Sequence, residues 1–149
     1  MILDSIYEQV MIASVSFPRY LLKTDEMTQK LGMPFSYLLI IFLSASRKLT
    51  IGKIAERMNI SKPNIAPIIR RLVEQGYMER MPMDKDKRKY YLKITAKGEE
   101  ICNNIHQYAV DRLGTAFSTL SSAELNRFLK ALLTVNRVME NVKSLTSGE

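Results

Sequence analysis

The chain has 149 residues, 46% of them hydrophobic, and a net charge of +7, which is enough for one hydrophobic core and predicts a single domain over residues 1–149. No apolar run reaches the ~18 to 20 uncharged residues that span a bilayer, and no secretory signal is evident, so we expect neither a membrane protein nor a secreted one. The single cysteine leaves no partner for an internal disulfide, which favours a reducing compartment and predicts a cytoplasmic protein.

The first third of the chain is predicted to be helical. Apolar residues recur every three or four positions, at Ile2, Ile6, Val10, Ala13 and Phe17. Pro18 is expected to kink or restart this helix. The polar segment 24–32 predicts a helix end and a connection, after which Pro34 suits the first turn of a strongly apolar, largely buried helix that runs to about Arg47.

A helix pair and a hairpin are predicted next. Residues 51–58 form one short helix, and a tight turn separates it from a second helix that Ser61 caps and Gly76 ends. Segments 77–81 and 90–94 predict two short strands, and the charged loop between them suits a hairpin tip.

Two long helices are predicted to complete the chain. Thr95 caps the first, which runs to about Phe117, and Ser121 with Glu124 forms a capping box at the start of the second. The predicted fold is therefore mainly α with a small β-wing: a winged helix-turn-helix embedded between long N- and C-terminal helices. Because the long helices carry more apolar surface than the small module can cover, residues 1–32 and 99–145 are predicted to form a two-fold dimer interface.

Positive charge is concentrated in one third of the chain. Residues 47–97 hold fourteen of the 22 Lys and Arg residues but five of the 15 acids, a net of +9, and the other 98 residues net to −2. A face that binds a polyanion requires such a concentration, since each neutralised phosphate releases condensed counterions. Double-stranded DNA is therefore the first partner predicted.

Three motifs occur in a fixed order between residues 49 and 98. The helix pair from Leu49 to Tyr77 is followed by a wing tip with the sequence Asp86-Lys87-Arg88, and then by the closing run Ile94-Thr95-Ala96-Lys97-Gly98. In order and spacing these motifs resemble the MarR family of bacterial winged helix-turn-helix transcription regulators. The resemblance implies a DNA-binding module over residues 49–98 and a homodimer.

The second helix of the pair is the predicted recognition helix. Its inner face is Ile65, Ile69 and Leu72, so its other side chains point more or less outward, where a major groove can receive them. The outward side chains are Lys62, Pro63, Asn64, Ala66, Pro67, Arg70 and Arg71.

Asn64 is the candidate base reader, because its amide can pair with both N6 and N7 of adenine. Ala66 and Pro67 offer only apolar contact, for instance to thymine methyl groups, so we expect an A·T-rich operator core. Arg70 and Arg71 lie further along the helix and are expected to contact backbone phosphates.

Pro67 departs from the family pattern, in which a polar or basic residue is common at that position. It removes one helical hydrogen bond and is expected to bend the helix or tighten its first turns. If it breaks the helix, the reading surface shifts to Lys62, Pro63 and Asn64. The Ser61 end of the helix is expected to present N–H groups to a phosphate.

The wing is predicted to enter the minor groove. Arg88 is the inserted residue, since narrow A·T-rich grooves attract a guanidinium, and Asp86 orients it through a charge-assisted bond. Unspecific phosphate contacts are expected from Lys85, Lys87 and Lys89. A solvated hairpin tip is the alternative, but the loop follows a basic helix, which favours DNA contact.

An effector pocket is implied by the resemblance, and it would bind a small aromatic or anionic molecule between the helical frame and the DNA-binding module. The aromatic residues that could line it are Tyr7, Tyr20, Phe35, Tyr37 and Phe42. The alternative is that these side chains belong to the core.

Catalysis and metal binding are not expected. Glu99, Cys102 and His106 share a helix face with spacing close to that of metal ligands, but three ligands from one helix are uncommon and a free cysteine is usually a small buried hydrophobe. Redox sensing by Cys102 stays open. With one histidine, one cysteine and no Gly-rich phosphate loop, the sequence predicts neither an enzyme nor a cofactor.

The predicted function is a homodimeric repressor that binds an A/T-rich pseudo-palindromic operator, with release by a small-molecule effector as an open possibility. The sequence leaves activator versus repressor open, and it identifies neither the operator, nor the effector, nor whether an effector exists. The alternative from another class is a winged-helix protein-interaction module without specific DNA binding, which would not need a net +9 face.

Overall fold

The computed structural model describes residues 1–146. In chain order its elements are α1 (Ile2–Ser16), a π-helical turn (Phe17–Leu21), α2 (Thr24–Leu31), α3 (Phe35–Ser44), α4 (Ile51–Met58), α5 (Lys62–Glu74), β1 (Met78–Pro82), β2 (Tyr90–Ile94), α6 (Ala96–Ala116) and α7 (Ser122–Thr146). These elements confirm the predicted fold class, mainly α with a small β-wing. None of the helices in this range is both long enough and apolar enough to cross a bilayer.

The chain divides into two compact units, Met1–Arg112 and a second that begins at Leu113. The first contains the helix pair and the wing. The second contains the start of α7, where the Ser121 hydroxyl and backbone N–H both donate to the Glu124 carboxylate at 2.8 Å. The Glu124 N–H donates back to the Ser121 hydroxyl at 3.3 Å. The predicted capping box is confirmed.

Pro18 changes the helix type at the end of α1. Because proline has no N–H, the α-helical bond from residue 18 to the Ser14 carbonyl is missing. The turn that follows is π-helical, and the Leu22 N–H donates to the Phe17 carbonyl at 3.0 Å, five residues back. The expected kink or restart is thus a single π-helical turn.

The prediction that residues 24–32 form a helix end and a connection is wrong in part, because this segment contains the helix α2. Only Met27 of that helix is buried, so no apolar period marks it in the sequence. Gly32 ends it with φ +66°, and its N–H donates to the Thr28 carbonyl. The left-handed conformation at Gly32 is one that glycine adopts at low cost.

The core of the first unit joins α3 to the helix pair and the wing. α3 buries Leu38, Ile40, Ile41 and Ser44, and the Ser44 hydroxyl is satisfied by the Ile40 carbonyl at 2.8 Å. The core side chains from the later elements are Ile54, Ile65, Ile69, Leu72, Met78, Leu92, Ile94 and Ile105. The helix pair is therefore anchored to α3 through its inner face.

The wing is an antiparallel hairpin in which Met78 pairs with Ile94 and Pro82 with Tyr90. Leu49 adds a bridge that was not predicted: its N–H donates to the Leu92 carbonyl at 3.0 Å and its carbonyl accepts from the Leu92 N–H at 2.7 Å. This bridge links Leu49, which lies just before α4, to β2 of the wing.

Thr95 and Gly98 hold the recognition helix to the start of α6. The Thr95 hydroxyl donates to the Gly76 carbonyl at 2.6 Å and accepts from the Gly98 N–H at 3.2 Å. A β-carbon at Gly98 would overlap the Tyr77 carbonyl. The closing Ile-Thr-x-x-Gly motif is therefore a close backbone junction between α5, β1 and α6.

Candidate nucleic-acid interface

The recognition helix α5 is continuous from Lys62 to Glu74, although Pro67 lies inside it. Pro67 lacks an N–H, so the bond that would close onto the Pro63 carbonyl is missing. Pro67 is exposed, whereas Ile65, Ile69 and Leu72 are buried. The three inner side chains therefore stay packed in the core on both sides of Pro67. The predicted shift of the reading surface to the first turn, which required a broken helix, does not apply.

Two of the three side chains along the centre of the outer face of α5 are prolines. At 3.6 residues per turn, Pro63, Pro67 and Arg70 align opposite the buried stripe, and all three are exposed. Asn64 lies on one flank and is exposed, while Ala66, on the other flank, is half-buried. Two proline rings thus stand between the polar side chains that were predicted to contact DNA.

The first turn of α5 is not closed by its own cap side chain. Ser61 occupies the N-cap position, as predicted, but within the described residues its hydroxyl bonds to no first-turn N–H. The Ser61 carbonyl accepts from the Asn64 and Ile65 N–H groups, both at 3.0 Å. The Ser61 hydroxyl and the Lys62 side chain are exposed at this end of the helix.

Lys62 crosses the backbone of the preceding helix at Gly52. A β-carbon placed on Gly52 would lie 2.9 Å from Lys62 Cε and 3.3 Å from its Nζ. Only a residue without a side chain leaves the Lys62 stem this path. Gly52 was not predicted as a site residue, since an isolated glycine in a helix carries no signal about which side chain passes over it.

A cleft of about 380 Å³ unites the start of α4, the start of α5 and the wing. We call it the wing cleft, and its lining residues are Thr50, Ile51, Gly52, Lys62, Met83, Arg88, Lys89 and Tyr90. Three of the eight are cations and none is a carboxylate. The cleft thus brings together one predicted residue of the recognition helix and two of the wing.

Asp86 organises the wing tip. Its carboxylate accepts from Arg88 Nε at 3.1 Å, from the second guanidinium nitrogen at 3.4 Å and from the Arg88 backbone N–H at 3.0 Å. These bonds lower the pKa of Asp86, chiefly through the guanidinium. The Arg88 side chain nevertheless stays 91% exposed. It is therefore aimed by the carboxylate and still accessible to a partner.

The wing lysines surround this pair. The Lys89 N–H donates to the Asp86 carbonyl and the Met83 N–H to the Lys89 carbonyl, both at 2.9 Å. The side chains of Lys85, Lys87 and Lys89 are all exposed. The hairpin tip therefore has a defined backbone with its cations turned outward.

Arg71 lies apart from the wing cleft. It lines a second cavity of about 410 Å³ together with Tyr37, Gln75, Tyr77 and Lys97, and Arg70 lines neither of the two cavities. Lys97 was not selected from the sequence as a site residue. Two neighbouring arginines of α5 thus have different surroundings.

Four of the five aromatic residues of the predicted effector pocket line neither the wing cleft nor this second cavity. Tyr37 is the one among them that lines either of these cavities. Tyr7, Tyr20 and Phe42 are each more than half exposed, and Phe35 is 36% exposed. The alternative that they are core residues is therefore wrong for the first three of these. Sequence reasoning could not foresee this, because exposed and buried aromatics look alike in an apolar helix.

Cys102 is half-buried and donates to the Ile41 carbonyl at 3.6 Å. Burial, with a smaller contribution from Glu99, raises the pKa of its thiol. His106 is exposed, and no group of three metal-ligating side chains occurs among residues 1–146. The geometry around Cys102 is that of a packed thiol, less ionised than a free one at neutral pH.

The fold and the wing cleft define a winged helix-turn-helix protein with a basic surface of the kind that contacts nucleic acid. The family model described as MarR family matches residues 35–90, from the start of α3 to the start of β2. Over these residues, somewhat more than a third of the chain, the sequence is similar to the MarR family.

Curated relatives carry matching names. The HTH-type transcriptional regulator BilQ of Clostridioides difficile (strain CD3) is 28% identical over 69 residues, which cover 46% of this chain and 47% of BilQ. The HTH-type transcriptional regulator YfiV of Bacillus subtilis (strain 168) is 25% identical over 120 residues, covering 80% of this chain and 74% of YfiV. The chain thus spans about half of the first relative and about three quarters of the second.

A solved structure of similar fold is FabT of Streptococcus pneumoniae in complex with DNA. The two chains superpose with a TM-score of 0.64 at 18% sequence identity, and the match covers 94% of each. At that identity the likeness establishes the fold.

Proposed function

We propose that this protein is a homodimeric transcription regulator that binds double-stranded DNA at a specific operator and acts as a repressor. The observation that carries the proposal is the wing cleft, where Lys62, Arg88 and Lys89 converge without a lining carboxylate. A site of this charge fits a sugar-phosphate backbone, since it replaces condensed counterions with fixed cations. The module over residues 49–98 would supply the whole DNA contact.

Recognition would take place in the major groove along the outer face of α5. Asn64 is accessible to an adenine edge, and the exposed rings of Pro63 and Pro67, one turn apart, suit thymine methyl groups. Arg70 continues the same line and would contact a backbone phosphate. This combination of an amide and apolar rings supports an A·T-rich operator core.

The wing would read the adjacent minor groove. Arg88 is exposed and already oriented by Asp86, so little side-chain freedom is lost when the guanidinium enters a narrow groove. Lys62 and Lys89 would hold the phosphate that lies in the wing cleft, and Lys85 and Lys87 would add unspecific contacts. The wing cleft thus connects the two groove contacts.

Two apolar helix faces support self-association. Within the described residues α1 buries none of its side chains, and the large hydrophobics that are more than half exposed on it are Ile2, Leu3, Ile6, Tyr7, Val10, Met11, Ile12 and Val15. On α7 they are Leu129, Leu133, Val135, Met139 and Leu145. Contiguous apolar faces of this kind mark interaction sites, and each would be covered by a second copy of the chain.

A two-fold dimer implies a pseudo-palindromic operator. Its recognition helices would lie about 34 Å apart, in successive major grooves. Occupation of such a site in the cytoplasm would block transcription. An effector that binds one dimer shape more tightly would need a coupling of only ~1 to 3 kcal/mol to release the operator.

The experiment that tests the proposal is selection of bound duplexes from a random pool with the full chain. The expected product is an A·T-rich sequence with two-fold symmetry and half-sites one helical turn apart. Binding to it should weaken steeply as salt rises, because phosphate contacts release counterions. Absent or salt-insensitive binding would contradict the proposal and favour a winged helix that contacts proteins.

A further inference from the structure

A cavity at the C-terminal end of the recognition helix carries two cations. We call it the basic cavity, and its lining residues are Gly32, Met33, Pro34, Tyr37, Arg71, Gln75, Tyr77 and Lys97. Its volume of about 410 Å³ lies in the range of small-molecule sites, ~300 to 1,000 Å³. It belongs to a different part of the surface from the wing cleft and shares no lining residue with it.

Lys97 is held in place on the wall of the basic cavity. Its ammonium donates to the Gln75 carbonyl at 2.8 Å and lies 4.3 Å from the centre of the Tyr77 ring. An ammonium has three donors, so this one hydrogen bond leaves donors for a ligand. Its position is thus defined before any ligand arrives.

Arg71 supplies the second positive charge, and none of the eight lining residues is a carboxylate. Two cations in one recess repel each other unless an anion lies between them. Tyr37, Tyr77 and Gln75 also line the cavity, and their side chains carry neutral hydrogen-bond donors. The basic cavity therefore has the charge and the donors of an anion site.

We propose that the basic cavity binds a small phosphate monoester. A carboxylate has two oxygens and one negative charge, which the fork of Arg71 alone can satisfy. A phosphate monoester has three terminal oxygens and nearly two charges at neutral pH, so it can bond the Arg71 guanidinium and the Lys97 ammonium together. The organic part of the ligand would lie against Met33, Pro34 and Tyr37.

Binding would affect the recognition helix directly, and this regulatory part rests on the proposed function. Arg71 follows Arg70 on α5 and lies two turns after Asn64. A bound dianion would add negative charge beside the helix that faces DNA and would weaken operator binding by repulsion. The ligand would thus act as a releasing effector.

The binding test uses the full chain and inorganic phosphate, with chloride at matched ionic strength as the reference. Backbone amide shifts of Gly32, Gln75 and Tyr77 are followed by NMR during titration at pH 7.5. The expected result is saturable shifts with phosphate that chloride does not reproduce. Arg71→Gln and Lys97→Gln should each weaken phosphate binding at least tenfold, whereas Lys97→Arg should retain it.

Lys93→Gln is the matched control, because Lys93 is an exposed lysine of β2 that lines neither cavity. Equal affinity in all four variants, or the same shifts with chloride, would overturn the proposal. The proposal would also be overturned if free phosphate did not bind while Arg71→Gln and Lys97→Gln both reduced DNA affinity. In that case the basic cavity would bind a phosphate of the DNA backbone and not a small molecule.

The two proposals can fail separately. Saturable phosphate binding in a protein that selects no duplex would remove the proposed function and leave the anion site intact. Where the operator is bound, phosphate should weaken it more than chloride does at the same ionic strength, and Arg71→Gln should abolish that difference. Equal weakening by both salts would overturn the regulatory part.

Discussion

Lys62 of the recognition helix passes over Gly52 of the preceding helix, with Cε 2.9 Å from the place where a β-carbon would stand. This crossing directs the ammonium toward the wing cleft, where Arg88 and Lys89 also lie. Among the eight residues that line this cleft, Lys62 is the one that comes from α5, and the absence of a side chain at Gly52 leaves its stem room to reach the cleft.

Gly52→Ala is expected to displace Lys62 without unfolding the protein, because the neighbouring atoms belong to a flexible side chain. Alanine in a helix should add up to about 1 kcal/mol of stability, whereas DNA affinity should fall and the slope of log affinity against log salt should flatten by about one. Fluorescence anisotropy at several salt concentrations measures both. Gly114→Ala is the control, since an added β-carbon there meets nothing within 4 Å, and an equal loss of affinity in it would contradict the role of Gly52.

Asn64→Ala is expected to relax the preference at one base pair by about 1–3 kcal/mol, because only the amide distinguishes adenine. Arg70→Ala should instead weaken all sequences alike and reduce the salt slope by about one. Competition binding with operators that differ at single base pairs measures these losses. If both variants lost specificity equally, the division between base and phosphate contacts would be wrong.

The Asp86–Arg88 pair predicts how the wing tip responds to acid. The pKa of Asp86 is lower in the folded chain than its ordinary value, chiefly because of the Arg88 side chain. Such a carboxylate stabilises the fold above its unfolded pKa, and the stabilisation is lost as pH falls through the folded value. The tip should therefore keep its geometry at neutral pH and loosen only below about pH 4.

An NMR titration of the Asp86 carboxyl carbon tests this. The midpoint should lie below that of free aspartate and should rise toward it in Arg88→Ala, whereas Lys87→Ala should leave it nearly unchanged. In the same Arg88→Ala variant, DNA affinity should fall most on A·T-rich flanks. A midpoint that does not respond to Arg88→Ala would mean that another group controls the carboxylate.

Gly98→Ala is expected to destabilise the junction between α5 and α6. The added β-carbon would overlap the Tyr77 carbonyl, which is backbone and cannot turn aside, so the helix must shift at a cost of about 1–3 kcal/mol. Urea unfolding followed by circular dichroism measures the free energy of unfolding, with Gly114→Ala as the reference. Wild-type stability in Gly98→Ala would show that the junction is more compliant than its contacts indicate.

The order and type of most elements follow from the sequence, because their signals are local. Ser121 with Glu124, Gly76 after α5 and the change of period at the wing involve residues a few positions apart, whose propensities and caps act wherever the segment lies. α2 escaped prediction because its contribution to the core is small: Met27 is buried and Leu31 is partly buried against the core.

The fold class, the concentration of positive charge and the position of the predicted recognition helix could be read from the amino-acid sequence alone. Tertiary structure alone decided which cations share a surface: Lys62 joins Arg88 across the wing cleft, whereas Arg71 joins Lys97 in the basic cavity. Both pairs are 26 positions apart in the chain. Local propensities carry no information about such distances, because they are set by the way buried faces such as Ile65, Ile69 and Leu72 pack against the rest of the core.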